Sequence, residues 1–178
     1  LITAPSDTDF DTTLDYPGRV PVATIVSGLW AFFACCVQVS NATGMGFRLG
    51  LTTGGAAQAL PFTTDYTDEI VFSKAIASAA VLGKVRGNTG TVADSGTLAT
   101  AVANTEMELA FWCQLSSGTS TGSFWADGTE TAFSSAQATA LTDILTSPPV
   151  MFWSLHCTGV TATNPTMTVT SAISGISA

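Results

Sequence analysis

The most constraining feature of the sequence is a stretch without any charged residue, residues 20–47. Its first part, residues 20–39, is about as long as a membrane-spanning helix. However, it contains Pro21, Ser27 and Gln38, it is rich in β-branched and aromatic residues, and it has no Lys or Arg cluster at either end. We therefore expect buried β-strands here, and no membrane as a partner.

The rest of the chain is also poor in charge. Charged residues make up 10% of the 178 residues, against about a quarter in typical soluble domains, so much of the surface must be neutral. The 29 Thr and 17 Ser would keep such a surface hydrated, and β-branched Thr favours strands. The net charge of -8 argues against nucleic acid as a partner. Because large neutral surfaces are uncommon on free monomers, we expect a homo-oligomer, either a trimer or a dimer.

Short apolar segments, separated by clusters of Gly, Asn, Ser and Asp, predict eight β-strands. The pattern is typical of an all-β protein, a single antiparallel β-sandwich of the jelly-roll type. Residues 134–145 predict one helix, with Ala138, Leu141 and Leu145 on one face, and a covering loop is the alternative. The predicted strands cover residues 29–39, 46–51, 69–75, 81–86, 108–115, 122–126, 150–157 and 166–170.

Residues 1–19 are polar, rich in Asp and too poor in large apolar side chains to form a core. We predict an extended N-terminal arm here, followed by the sandwich domain over residues 20–178, and such an arm is stable only when it is docked. Its acids predict a partner that offers Lys or Arg, because the alternative, a calcium loop, lacks the required Gly and Glu. The candidate partner-binding residues are Asp7, Asp9, Phe10, Asp11, Asp15 and Tyr16.

The sequence gives little support for a metal or a cofactor, and we predict neither. Its cysteines lack the spacing of zinc ligands and are interpreted as buried thiols, with a disulfide between Cys113 and Cys157 left open. His156 lies within an apolar strand, so we interpret it as a histidine of the core or of an interface. The four cysteines are Cys35, Cys36, Cys113 and Cys157.

Two patterns that could indicate catalysis are given structural interpretations, and we predict that the protein is not an enzyme. Residues 118–122 match the G-x-S-x-G nucleophile motif, but they connect two predicted strands where the motif needs a strand and a helix. Glu106 and Glu108 share one face of a strand, as the carboxyl pair of a retaining glycosidase would. They lack the third acid of the jelly-roll hydrolases, so we interpret them as solubilising residues of an edge strand.

The order of several motifs resembles a known family. The motifs are GFRLGL at residues 46–51, DEIVFSK at 68–74, ELAFWC at 108–113, GSFWADG at 122–128 and NPTMTV at 164–169. In this order they resemble the concanavalin-A/laminin-G-like jelly-roll proteins of tailed-phage virions. In that family an aromatic-x-Asp-Gly turn connects two strands of the curved sheet, and residues 125–128 would form it here.

The resemblance implies a virion structural protein, a capsid cement or decoration subunit. Such a subunit would be assembled in the host cytoplasm and would bind the major capsid protein across capsomer joints on the capsid exterior. The alternative is a carbohydrate-binding, lectin-like module of a tail fibre or surface protein. Exposed aromatic residues would favour this alternative, and Trp125 beside the Asp127-Gly128 turn is the residue to inspect.

Overall fold

The structure, a computed structural model, describes residues 2–3, 10–15, 27–52, 68–87, 92–146, 152–159 and 165–177. These residues form twelve β-strands and one short α-helix. The strands in chain order are β1 (Ile2–Thr3), β2 (Phe10–Asp15), β3 (Trp30–Val39), β4 (Met45–Thr52), β5 (Glu69–Lys74), β6 (Ala80–Arg86), β7 (Val92–Thr100), β8 (Glu106–Gln114), β9 (Thr121–Ala126), β10 (Thr129–Ala132), β11 (Phe152–Gly159) and β12 (Thr166–Ser177).

The strands form two six-stranded antiparallel sheets. Sheet A has the order β1-β12-β3-β8-β9-β10, and sheet B has the order β2-β11-β4-β5-β6-β7. The predicted fold class, an antiparallel β-sandwich of the jelly-roll type, is confirmed. In the described part of the chain, no helix is both long and apolar enough to cross a membrane.

The core lies between the two sheets, because alternate residues of the strands point inward and are apolar. Phe33 and Phe111 of sheet A stack with ring centroids 5.8 Å apart. Phe72 of sheet B meets Phe124 of sheet A edge to face at 5.2 Å. Gly83 provides the space for the Phe124 ring, since a Cβ at this position would lie 2.4 Å from a ring carbon. Aromatic packing therefore joins the two sheets.

All eight predicted strands are present, and most of their ends agree within two residues. The exception is β12, which continues to Ser177 instead of ending at Thr170. Four strands were not predicted, namely β1, β2, β7 and β10, and each is an outermost strand of its sheet. Their sequences are short or polar. An edge strand pairs on one side only and is less covered, so it does not need the apolar run by which a strand is recognised in a sequence.

Two segments of the predicted arm are strands of the sandwich. Ile2 pairs with Met167 at the edge of sheet A. In sheet B, Phe10 pairs with Gly159 and Asp15 with Ser154. These segments therefore dock on the chain's own sheets, and the arm does not extend away from the sandwich along its whole length. The domain boundary after residue 19 stays a prediction.

The predicted helix is confirmed as α1 (Ser135–Asp143), followed by a 3-10 turn. Ser134 caps it: its side chain accepts the Gln137 N–H at 3.2 Å, and its own N–H donates to the Gln137 side chain at 2.9 Å. Of the three residues predicted to share a face, Leu141 is buried, and Ala138 and Leu145 are half-buried. The buried residues of the helix are Gln137, Ala140 and Leu141, because the Gln137 amide donates to the Gly83 carbonyl at 3.3 Å and so faces sheet B.

The four cysteines form no disulfide. Cys113 lies in sheet A and Cys157 in sheet B, so the bridge between neighbouring strands that the sequence left open is wrong. Burial raises the pKa of the Cys35 and Cys113 thiols to about 12, so both stay protonated at neutral pH. Cys36 points the other way from Cys35 and is half-buried, as the alternation of a strand predicts.

Candidate functional site

The outer surface of sheet A carries aromatic side chains, and we call the outward surface of β12, β3, β8 and β9 the aromatic face. Alternation along β3 and β8 places Trp30, Phe32 and Trp112 on this face. Trp30 and Trp112 stack with ring centroids 5.1 Å apart. Trp30 is 43% exposed and Phe32 44% exposed, which is high for such large apolar side chains.

An open trough crosses the aromatic face where the side chains are small. In the strand register Ala34 lies opposite Ala110, which in turn lies opposite Trp125. On the other side Ala34 lies opposite Ile173. The two alanines therefore form a floor between the larger side chains of Trp125 and Ile173. The trough has a volume of about 360 Å³ and is lined by Ala34, Cys35, Cys36, Glu108, Leu109, Ala110, Trp125, Gly128, Ser171, Ala172 and Ile173.

One end of the trough is polar. Cys36 lies opposite both Glu108 and Ser171 in the register, so a thiol, a carboxylate and a hydroxyl form the row next to the alanine floor. The Asp127 carboxylate accepts the backbone N–H of Glu108 at 2.8 Å, and the Asp127 N–H donates to the Glu108 carbonyl at 2.8 Å. These two bonds fix the end of β9 beside β8 and so position Trp125.

The turn after Trp125 has the geometry that the sequence predicts for it. Asp127 has φ +49° and Gly128 has φ +78°, so both central residues adopt the left-handed conformation of a tight hairpin turn. The turn connects β9 to β10, where Glu130 lies opposite Trp125. The predicted aromatic-x-Asp-Gly connection between two strands is therefore present, and it places Glu130 beside Trp125.

The two acids of β8 both lie on the aromatic face. Glu106 and Glu108 are exposed, and the Glu106 carboxylate accepts a hydrogen bond from the Thr170 hydroxyl at 3.1 Å. Their interpretation as residues of an edge strand is wrong, because β8 pairs with β3 on one side and β9 on the other. A strand in the middle of a sheet presents these carboxylates to the space above the sheet.

Phe32 lies across β12 because β12 has a glycine at the opposite position. Gly175 pairs with Phe32, and a Cβ on Gly175 would lie 2.5 Å from the Phe32 ring. The glycine therefore lets the ring settle onto the neighbouring strand while about half of its surface stays in contact with solvent.

The residues of β4 and β5 in sheet B are buried on both faces. Arg48 and Glu69 form a buried ion pair with Nη1 and Oε2 3.2 Å apart. The Lys74 ammonium donates to the carbonyls of Met45 and Ala75, and burial lowers its pKa to about 8. These charges are enclosed by the protein and are not accessible to a ligand.

Another group with a shifted pKa, the Asp68 carboxyl, lies at the start of β5. Burial raises the pKa of Asp68 to about 6, the negative charge of Asp143 adds to the shift, and Arg86 opposes it. Asp68 precedes a strand that is buried on both faces, so this shift is a consequence of packing.

The predicted partner-binding residues lie away from the trough or outside the described residues. Phe10, Asp11 and Asp15 are on β2, at the edge of sheet B. The remaining three, Asp7, Asp9 and Tyr16, are outside the part of the chain that the structure describes. The structure therefore places three of the six residues on one edge strand, and their role in binding a partner stays a prediction.

The remaining sequence features, the G-x-S-x-G segment and His156, lie within the packed sandwich. The G-x-S-x-G segment connects β8 to β9, and within it the Ser120 hydroxyl donates to the Ser116 carbonyl and accepts from Thr142 at 2.9 Å. His156 lies opposite Arg48 in the strand register, and the structure describes its backbone but not its side chain. Among the described residues, no group of three His, Cys, Asp or Glu could hold a metal ion.

The sequence singled out Trp125 but missed Trp30, Phe32 and Trp112. The signal was present in the two-residue alternation of β3 and β8, whose outward residues include these three aromatic residues while every inward position is also apolar. Without the pairing of the strands, an aromatic residue on the outer surface cannot be distinguished from one in the core.

The chain matches no known family model, and no curated protein matches it. It is similar in structure to an endo-β-1,4-glucuronan lyase from Trichoderma reesei, with a TM-score of 0.53, 9% identity and coverage of 98% of this chain and 78% of that one. It is also similar to the CBM2 module of the evolved Dit of Lactobacillus casei BL23 phage J-1, with a TM-score of 0.52, 13% identity and coverage of 98% and 74%. At these identities the likeness shows the fold alone.

Proposed function

We propose that the protein is a non-catalytic carbohydrate-binding module and that the trough on the aromatic face is its site. The observation that carries the proposal is Trp125 beside a floor formed by Ala34 and Ala110, with Glu108 at the end of that floor. A sugar ring has an apolar C–H face and a polar rim of hydroxyls. The indole can receive the face, and the carboxylate can accept hydrogen bonds from the rim.

The size of the trough supports a small ligand. Its volume of about 360 Å³ is near the lower end of the range for small-molecule sites, ~300 to 1,000 Å³. Because the trough is open to solvent, a longer chain of sugar units could lie between Trp125 and Ile173 and extend beyond the trough. The likeness in fold to the CBM2 module of phage J-1 supports the proposal in general kind.

Substitution of Trp125 is the first test. A glycan array identifies a ligand, and calorimetry then compares the wild type with Trp125→Ala. We expect the variant to lose roughly thirtyfold in affinity, about 2 kcal/mol, as for an aromatic residue at the centre of a binding site. The control is Val102→Ala, which shortens another exposed apolar side chain, 55% exposed and absent from the trough. Equal affinity of Trp125→Ala and the wild type would contradict the proposal.

Cys36 offers a second readout that does not depend on removing an aromatic residue. It is the half-buried cysteine of the trough, whereas Cys35, Cys113 and Cys157 are buried. A bound glycan is expected to slow the alkylation of Cys36 by a maleimide. The Cys36→Ser variant identifies the modified site by mass spectrometry, and a rate unchanged by saturating glycan would place the ligand elsewhere.

The capsid cement subunit is a second candidate, favoured by the aliphatic part of the aromatic face. Ile173 is 61% exposed and lies in the row next to Phe32, so the face presents a neutral apolar surface of the kind found at the centre of protein interfaces. In this candidate function, homo-oligomers on the capsid exterior bind the major capsid protein through that surface. Many copies related by symmetry would hold neighbouring capsomers together.

A charge placed on Phe32 tests the second candidate, because Phe32 is on the face but does not line the trough. If the protein is a cement subunit, Phe32→Asp abolishes its binding to undecorated capsids and its self-association in sedimentation experiments. Glycan binding by the same variant would be retained. A wild-type chain that stays monomeric and does not bind capsids would exclude this candidate.

A further inference from the structure

The charged residues are divided unequally between the two sheets. Every Lys and Arg that the structure describes lies on β4, β5 or β6 of sheet B, namely Arg48, Lys74, Lys84 and Arg86. On the described strands of sheet A and the turn between β9 and β10, every charged residue is an acid. These residues are Glu106, Glu108, Asp127 and Glu130.

The acids of sheet A are grouped around the trough. Glu108 lines it, and Glu106 lies two residues away on the same face of β8. Glu130 lies opposite Trp125 on β10, so the two side chains share a face. Asp127 is held against the Glu108 backbone and precedes Gly128, which lines the trough. Trp125 therefore has carboxylates on both the β8 side and the β10 side.

A ligand at Trp125 would be in a negative field with no described cation on the same sheet to offset it. Exposed charges act over about 8 to 10 Å at moderate salt, a distance that includes neighbouring strands ~5 Å apart. A carboxylate or sulfate on the ligand would be repelled by several acids at once. A protonated amine would be attracted by the same acids, and its N–H groups could donate to Glu108 or Glu130.

We propose that the trough selects its glycan by charge: it prefers sugar units that carry a free amine, binds neutral units less tightly and rejects uronic acids. This inference rests on the proposed function, because the trough is the site and the surrounding carboxylates decide only which sugars it accepts. It identifies the ligand class as a glycan containing hexosamine with unmodified amino groups.

The test uses three oligosaccharides of equal length and linkage, the β-1,4-linked oligomers of glucosamine, glucose and glucuronic acid. Their affinities for the full chain are measured by calorimetry at low and high salt, at a pH where the amine is protonated. We expect the glucosamine oligomer to bind at least about tenfold more tightly than the glucuronic acid oligomer at low salt. High salt should reduce this ratio, because the charges are exposed to solvent.

Two variants and one control assign the effect to the trough. Glu108→Gln and Glu130→Gln keep the size of the side chains and remove one charge each, so each is expected to reduce the preference for the amine by a few fold. Asp94→Asn removes the same charge from β7 of sheet B, where the side chain is 46% exposed and 3.9 Å from Lys84. This control should leave the preference unchanged, although it changes the net charge equally.

The outcomes separate this inference from the proposed function. Glucuronic acid oligomers that bind as tightly as glucosamine oligomers, with Cys36 protected by both, would overturn the charge selection and leave the carbohydrate site in place. Equal effects of Glu108→Gln and Asp94→Asn would also overturn it. Failure of every glycan on a broad array to bind, with Cys36 alkylated at the same rate throughout, would overturn the proposed function itself.

Discussion

The two sheets of the sandwich differ in how far they are buried and in where their charged residues lie. The strands β4 and β5 of sheet B are buried on both faces, and they contain the buried pair of Arg48 and Glu69 as well as the buried Lys74. Sheet A exposes Trp30, Phe32 and a trough about 360 Å³ in volume, and its described charges are all negative. The charges of β4 and β5 are therefore enclosed within the protein, whereas the outer surface of sheet A exposes aromatic side chains and acids to solvent.

The largest expected effect is on the buried ion pair of sheet B. Arg48→Leu would leave Glu69, which is fully buried, without this cation, at an expected cost of about 3 to 5 kcal/mol in the free energy of unfolding. Urea denaturation measures it. The matched control is Lys84→Met, which removes the partly exposed pair with Asp94 and should cost less than about 1 kcal/mol. Similar losses of stability in both variants would show that the buried pair contributes no more to stability than the partly exposed pair.

An intermediate effect is expected from two glycines that each lie under a phenylalanine ring. A Cβ at Gly83 would lie 2.4 Å from the buried Phe124 ring, and a Cβ at Gly175 would lie 2.5 Å from the exposed Phe32 ring. Gly83→Ala should therefore destabilise the protein by about 1 to 3 kcal/mol, because the Phe124 ring has no space to move. Gly175→Ala should cost less, because Phe32 can rotate into solvent. Thermal unfolding measures the loss of stability in each variant. Equal losses would show that the Phe32 ring cannot move away from Gly175.

The smallest expected effect is the pH dependence that Lys74 causes. Its folded pKa of about 8 lies below the ordinary value of 10.5, so protonation is less favourable in the folded state. The contribution of Lys74 to stability is present above pH 10.5 and is lost as the pH falls through 8. Between pH 7 and pH 9 the wild type should gain about 1 kcal/mol from this group. Lys74→Met, compared by urea denaturation at both values, should lack this gain, and an identical gain in both proteins would assign it to another residue.

The sequence predicted the strands in the middle of each sheet and missed the strands at the edges. All eight predicted strands have neighbours on both sides, and the four missed strands are the four outermost ones. The central strands are apolar because they are covered, and this is the pattern that sequence analysis detects. The edge strand β7, with the sequence VADSGTLAT and Gly96 at φ +77°, gives no such signal.

The candidate site was predictable only in part. Trp125 and the Asp127-Gly128 turn were found, because a tight turn has a local signature in its own residues. The trough was not found, since Ala34, Ala110 and Ile173 are ordinary apolar residues far apart in the sequence. They become a site because the register of β12, β3, β8 and β9 places small side chains in one row between larger ones.

The sequence by itself determined the fold class, the eight central strands and the helix after β10, because each of these depends on local pattern: alternation, turn residues and the Ser134 cap. Only the tertiary structure decided which apolar residues face outward, where segments of the N-terminal region dock, and how the charges divide between the sheets. The physical reason is that a strand's environment is set by its partners, through register and sheet order, and these pairings join residues more than a hundred positions apart, as Cys36 and Ser171 show.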